Sequence, residues 1–204
     1  MRNAVGFYWT LPVPWQGFTA LPREADAAAR LSTTVRYQVQ LIRRHAKTND
    51  LKLVHEEVFM ELAPDRGTRH VADGLKRVVP ICREHRAVLL VVDFAQVQNW
   101  RGHAPLHDAC ANLGLELETV YPDEIDLDGQ RFEPQTHFAR WRERQRDWSD
   151  GKEARLTAAV ARAAALREAG LSLSKTATQL NDEGLKSATG RAWTADGVRK
   201  LLAE

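Results

Sequence analysis

The sequence predicts an α/β protein: a mostly parallel sheet flanked by helices, followed by a long connecting helix and a small three-helix helix-turn-helix unit. Three observations predict it. Strand-like and helix-like segments alternate four times before residue 122, the signature of a largely parallel sheet. The run AVLLVV (87–92) is unbroken and rich in β-branched residues, as expected of a central strand covered on both faces. After residue 133 the pattern changes to helical spacing alone.

Taken in order, NAVGFYW (3–9) reads as the first strand. PVPWQGF (12–18) does not continue it, because its two prolines fix φ and lack a donor. In TTVRYQVQLIRRHAK (33–47), Val35, Val39 and Ile42 fall on one helical face, and Asn49-Asp50 stops the helix. LKLVHEEVFME (51–61) is the next strand and APDRGTR (63–69) a loop. HVADGLKRVVPICREH (70–85) resumes helical spacing through Val71, Leu75 and Val78–Val79, with Pro80 expected to kink or divide it. LHDACANLG (106–114) is a helix closed by Gly114, and LELETVYP (115–122) alternates as a strand does. DEIDLD (123–128) reads as a solvated turn, since its spacing does not follow the EF-hand ligand scheme.

The carboxy-terminal part is all helical. THFARWRERQRDW (136–148) puts Phe138, Trp141 and Trp148 on an aromatic stripe. Two readings of that stripe stand side by side: packing on the chain's own sheet domain, and a dimer seam or connector. SDGK (149–152) reads as a linker. EARLTAAVARAAALREAG (153–170) turns Leu156, Val160, Ala164 and Leu166 toward a core. LSLSKTATQLNDEG (171–184) is a second helix with Ser172 or Ser174 as its cap and Gly184 at its end. In WTADGVRKLL (193–202), Thr194 is an N-cap, Trp193 and Val198 occupy the positions of a hydrophobic staple, and Asp196 favours the helix dipole. Val198, Leu201 and Leu202 then face inward and Arg199 and Lys200 outward. The expected domains are 1–134, an α/β domain; 135–152, a connecting or dimerisation helix and linker; and 153–204, the helix-turn-helix domain.

The 204 residues are 44% hydrophobic and 27% charged, with no apolar run near the roughly 18 residues that span a bilayer. The first 15 residues lack the apolar stretch of a secretion signal, so no membrane partner is expected and the cytoplasm is the default location, with the nucleoid as its bacterial equivalent. Cys82 and Cys110 read as buried, reduced thiols. Residues 1–130 carry 15 basic against 17 acidic side chains, net −2, and residues 131–204 carry 14 against 10, net +4, a lean compatible with a polyanion partner. His103 and His107 have the i,i+4 spacing of a metal pair but lack a matching glutamate and flank Pro105, so no metal is assigned. No phosphate-cradling glycine loop is present and no cofactor is expected.

The stretch LREAGLSLSKTATQLNDEGLKSATGRAWTADGVRKLL (166–202) closely resembles the helical DNA-binding module of serine site-specific recombinases. The resemblance rests on the helix ending at REAG, on Ala177, Leu180, Asn181 and Gly184, and on TGRAWT..GVRKLL at 189–202. The preceding residues resemble that family's resolvase-type catalytic domain in element order. The resemblance implies a serine that attacks a DNA phosphodiester and arginines that neutralise the transition state. The family's first-strand motif, aromatic-x-Arg-x-Ser, falls on Phe7, Trp9 and Leu11, and its loop positions Asp-Arg and a later Arg fall on Ala95, Gln96 and Asn99. Trp9, Leu11, Ala95, Gln96 and Asn99 all lack the family's charge or nucleophile. The expectation is therefore no cleavage by this route, and no enzyme. Thr10, on the opposite side of the strand from Trp9 and Leu11, and Arg101 are the nearest candidates for a relocated site.

What remains is binding. The resemblance implies double-stranded DNA as partner and a homodimer or higher homo-oligomer in an architectural or regulatory role. Lys175, Lys186, Arg191, Arg199 and Lys200 are the candidate phosphate contacts, with Ser174, Ser187 and Thr189 as hydroxyl donors. Ala195, Asp196 and Arg199, early and outward on the last helix, are the candidate base-edge readers. A chain ending at Glu204 is expected to carry only the first part of the larger recombinase DNA-binding region. Two alternatives stay open: an active recombinase or nuclease with relocated catalytic residues, and a protein–protein assembly module without DNA binding.

Overall fold

The computed structural model describes residues 1–64, 66–95 and 103–203. They divide into two units: Met1–Pro12 with Ala20–Ala139, and Val13–Thr19 with Arg140–Glu204.

In the first unit, β1 (Arg2–Thr10), β2 (Leu51–Met60), β3 (Val88–Val92) and β4 (Leu117–Val120) form a sheet in the order β2-β1-β3-β4, with every pairing parallel. The expected parallel sheet is therefore present. All five residues of β3 are buried, as its unbroken apolar run requires. The helices are α1 (Ala25–Leu31), α2 (Thr33–Thr48), α3 (Val71–His85) and α4 (Ala104–Leu113). Helix α2 starts where the Ser32 hydroxyl accepts the Val35 amide, and it buries Val35, Val39 and Ile42. It packs across all four strands. Helix α4 is closed by Gly114 in the left-handed conformation, φ 65°.

Several elements differ from the expectations of the sequence. Helix α1 has no counterpart among them; the Glu24 carboxylate caps it by accepting the Asp26 and Ala27 amides. Helix α3 runs through Pro80 undivided. The proline lies on the exposed face of the helix, where a carbonyl left without its helical donor is less costly than one in the core. The acidic run expected to be a solvated turn is the first half of a hairpin, β5 (Ile125–Leu127) and β6 (Gln130–Phe132). Asp128 and Gly129, at φ 57° and 80°, make the two-residue turn with positive φ at both positions that antiparallel pairs favour. Ile125, Leu127 and Phe132 bury its inner face.

Helix α5 (Pro134–Asp150) is followed by α6 (Lys152–Glu168), with Gly151 alone between them, so the expected linker shrinks to one residue. Helices α7 (Leu173–Asp182) and α8 (Ala195–Leu201) complete the three-helix unit. Its core is Ala159, Ala163, Leu166, Ala177, Leu180, Trp193, Val198 and Leu201, with Leu156, Leu171, Leu173 and Leu185 packed against it. The face of α6 is thus Leu156, Ala159, Ala163 and Leu166. Val160 is exposed and Ala164 only half-buried, contrary to expectation. Small side chains at the crossing let the helices approach closely, which outweighs the larger apolar surface of valine. Leu202, expected inside, is likewise exposed.

Cys82 and Cys110 are both buried free thiols. Burial pushes the Cys110 thiol up to about 11, with the nearby Cys82 adding to it, and raises Cys82 as well. Both stay protonated and unreactive at neutral pH.

Candidate functional site

In a sheet ordered β2-β1-β3-β4 the connection after β1 runs to one side, to β2, and the connection after β3 runs to the other, to β4, so the direction reverses between β1 and β3. Ligands of open α/β sheets bind outside the carboxyl ends of the strands at such a point. Here the end of β1 presents Trp9, Thr10 and Leu11, all buried. The Trp9 ring meets Phe94 edge-on at 6.0 Å and His103 at 4.8 Å. Its Nε1 is buried without an acceptor among the described residues. Ala95 is half-buried, its amide donating to Asp93 Oδ1 at 3.0 Å. Gln96, Asn99 and Arg101 lie outside the described residues.

Two side chains hold this edge in shape. Strand β3 pairs with β1 only as far as Gly6, while β1 runs on to Thr10. Beyond Gly6 no strand among the described residues pairs with β1 on that side, and the fully buried amide of Gln38 bonds its main chain there. Gln38 Oε1 accepts the Trp9 amide at 3.1 Å, and Nε2 donates to the Trp9 carbonyl at 2.7 Å and the Thr34 carbonyl at 3.1 Å. Gln38→Leu leaves two buried main-chain groups unpaired and is expected to cost about 2–4 kcal/mol, read as a lowered urea midpoint at unchanged slope.

The second is a Glu61–His103 pair, just past the end of β2 and at the start of α4. Both side chains are buried, with His103 Nε2 to Glu61 Oε1 at 2.7 Å. His103 Nδ1 accepts the Leu106 amide as the cap of α4, so Nε2 carries the proton and donates to the carboxylate. Glu61 also accepts the Thr68 hydroxyl at 2.6 Å and amide at 3.0 Å. Gly67 lies so close that a Cβ there would stand 2.7 Å from the His103 ring. His103 and His107 therefore do not pair as ligands: the first is buried in the Glu61 network and the second is exposed. Among the described residues there is no group of three or more His, Cys, Asp and Glu able to hold a metal.

The helical unit carries the other candidate residues. Ser172, not Ser174, caps α7 by accepting the Lys175 amide. Thr194 caps α8, its Oγ1 accepting the Gly197 amide at 3.1 Å, and Trp193 and Val198 are both buried, as the staple requires. Between α7 and α8 lie twelve residues, far more than a tight helix-turn-helix corner. Asn181 anchors their far end: its Oδ1 accepts the Trp193 amide at 2.7 Å and its Nδ2 donates to the Trp193 carbonyl at 3.0 Å. The Trp193 Nε1 donates to the Leu185 carbonyl at 2.9 Å. A turn within this connection is closed by two main-chain bonds, from the Ser187 amide to the Arg191 carbonyl and from the Gly190 amide to the Ser187 carbonyl.

The candidate contacts distribute over this unit as follows. Ser187, Thr189 and Arg191 share the turn, with the two hydroxyls 3.2 Å apart; Thr189 and Arg191 are exposed, Lys186 and Ser187 half-buried. Asp196, Arg199 and Lys200 occupy one exposed face of α8, and Ala195 is half-buried at its first position. Asp196 pairs with Arg199 at 3.1 Å and Lys200 at 3.0 Å, and the Lys200 ammonium, with Arg199 beyond it, holds its carboxyl below the usual range. Asp196 thus restrains both cations. Ser174 and Lys175 are exposed at the start of α7.

The aromatic stripe divides between the units. Phe138 meets Phe94 edge-on at 4.8 Å in the first. In the second, Trp148 stacks on Trp15 at 5.9 Å and 14°, Trp141 tilts against the same ring at 6.4 Å, and the Arg155 guanidinium stands 3.4 Å from the centre of the Trp148 ring. Neither Trp15 nor Arg155 stands out in the sequence, because the proline-rich segment around Trp15 has no periodicity to read.

Compared with known proteins, residues 155–204 match the family model Recombinase, which falls on α6, α7 and α8 and spans a quarter of the chain. No curated protein and no solved structure matches it.

Proposed function

We propose that this chain binds double-stranded DNA through the α6–α8 unit, as a homodimer, in an architectural or regulatory role, and that its sheet unit does not cleave DNA. The observation that carries the proposal is the conjunction at residues 155–204: a stretch matching Recombinase folds as a capped three-helix unit whose last helix turns Arg199 and Lys200 to water. Helix α8 is only seven residues, about 10 Å long, so one copy meets few base pairs. Two copies on adjacent half-sites would double the contact, the arrangement dimeric helix-turn-helix proteins use.

Support for the absence of cleavage is chemical. Displacement at a phosphodiester by the recombinase route needs a nucleophile and guanidinium groups, and a single lost preorganised donor already costs about 3–4 kcal/mol at the transition state. The corresponding positions, Trp9 on β1 and Leu11 just past its end, hold a buried indole and a buried isobutyl group. Thr10, the adjacent hydroxyl, is buried as well.

The test is a salt series with supercoiled plasmid, scoring retention, nicking and protein–DNA covalent linkage together. The expected result is retention that falls as a steep power of salt, with plasmid intact and no linkage. Nicking that vanishes in Thr10→Ala overturns the non-cleaving part. Salt-independent retention, or none, overturns the DNA-binding part. Light scattering across a concentration series reads the oligomer.

A further inference from the structure

Resting on that DNA-binding reading, we propose that Trp15 is a positioning residue for DNA binding: the Val13–Phe18 segment forms the wall that holds the Ser187–Arg191 turn in its phosphate-contacting shape.

The segment has its own fold. The Val13 amide donates to the Phe18 carbonyl at 2.7 Å and the Phe18 amide to the Val13 carbonyl at 3.2 Å. A 3-10 turn at Pro14–Gln16 closes it, with Gly17 left-handed at φ 76°. Proline at the start of that turn lowers the entropy lost on ordering. The segment follows β1 directly in the chain but is grouped with the second unit.

Two contacts tie it there. The Trp15 ring stacks on Trp148 and tilts against Trp141, both on α5. The Trp15 main chain presses on Gly190: a Cβ built at Gly190 would stand 2.6 Å from the Trp15 nitrogen and 2.8 Å from its Cα. Gly190 is buried and has φ 78°, so glycine is required there by both the backbone conformation and the close approach. A twelve-residue connection between helices does not hold one shape unaided. Asn181, Trp193 and Leu185 fix its ends through hydrogen bonds, and the stretch between them, which carries Lys186, Ser187, Thr189 and Arg191, meets the Trp15 main chain at Gly190. With that wall in place the turn is ordered before DNA arrives, so its ordering entropy is not charged to binding.

The experiment uses the full chain and a random duplex of fixed length. It compares wild type, Trp15→Ala, Trp15→Phe, Gly190→Ala, Arg191→Ala, and Trp15→Ala combined with Arg191→Ala or with Arg199→Ala. Trp15→Ala is expected to weaken binding about fivefold to tenfold, the cost of returning roughly one side chain's ordering to the binding step. The slope of log affinity against log salt should fall by about 0.9, one phosphate contact. The loss from Trp15→Ala should overlap that from Arg191→Ala and add to that from Arg199→Ala. Trp15→Phe should recover most of the affinity, and Gly190→Ala should reproduce the Trp15→Ala slope. Thermal melts identify any variant that has lost its fold; if Trp15→Ala is one, the affinities and slopes of Trp15→Phe and Gly190→Ala decide the outcome. Wild-type binding with affinity and slope unmoved in these variants overturns this proposal alone, as does tighter binding by Trp15→Ala, which would make the segment a mask. A wild-type chain without salt-sensitive binding overturns the DNA-binding reading and this one together.

Discussion

Reversing charge at Arg199 and Lys200 together, Arg199→Glu with Lys200→Glu, is expected to remove retention of duplex DNA at moderate salt. Each cation that neutralises a phosphate contributes about 0.9 to the slope of log affinity against log salt. Losing two such contacts and adding repulsion lowers affinity by roughly a hundredfold or more near 0.1 M salt, and reduces the slope by about two. Both side chains are mostly exposed, 66% and 76%, so the fold does not depend on them. The reversal also sets two carboxylates a turn from Asp196, and Arg199→Ala with Lys200→Ala separates that strain from the loss of contact. Asp196→Asn works in the opposite direction. It releases both cations from their intramolecular partner and is expected to tighten binding several-fold at low salt, with a smaller gain at high salt. Filter retention or anisotropy across a salt series reads all three.

Much of the fold is legible in the sequence because it follows from local patterning. The alternation of strand and helix, the buried run of β3, the glycine ending α4 and the Thr194 cap with its Trp193–Val198 staple are all set by residues within one turn or strand of each other. The β5–β6 hairpin is equally local, marked by the Asp128-Gly129 pair between Leu127 and Phe132, but the four carboxylates around it give the segment the look of a solvated turn. The face of α6 departs from expectation for a different reason. Hydrophobicity ranks Val160 above Ala159 and Ala163, yet what decides the contact is how closely α7 and α8 approach, and that is a property of the assembled unit.

The candidate site shows the same division. The outward cations of α8 follow from helical period alone. The roles of Gln38, Glu61, His103 and Trp15 do not, because each acts on a partner distant in sequence: Gln38 on Trp9, His103 on Glu61, Trp15 on Gly190 and Trp148. A buried amide in the middle of an amphipathic helix is the one available sign. Gln38 occupies the apolar face of α2 between Val35, Val39 and Ile42, and a polar group buried there must have partners to hold.

The edge of the sheet should also be sensitive to acid through Glu61. Burial alone would raise this carboxyl; the His103 ring donor, the Thr68 hydroxyl and the Thr68 amide outweigh it and hold it below its ordinary value of 4.5. A native-state pKa below the unfolded one gives stability that is complete above the unfolded value and disappears as pH falls through the native value. Removing the buried carboxylate strands four donors, the His103 ring N–H, the Thr68 hydroxyl and amide and the Leu62 amide, so Glu61→Ala is expected to cost about 3–5 kcal/mol, at roughly 1–3 kcal/mol for each donor that water does not reach. Glu61→Gln keeps one acceptor oxygen and the volume, and should cost less. It also removes the titration. The difference between wild type and Glu61→Gln in urea midpoint should therefore be greatest at pH 7 and shrink steadily below about pH 4.5, as the wild-type carboxyl takes up its proton. The other carboxylates titrate alike in both proteins and cancel in that difference. A gap that stays constant down to pH 3 would mean that the His103 and Thr68 donors do not favour the ionised form. The link between β2 and α4 would then rest on packing against Trp9 and Gly67 alone.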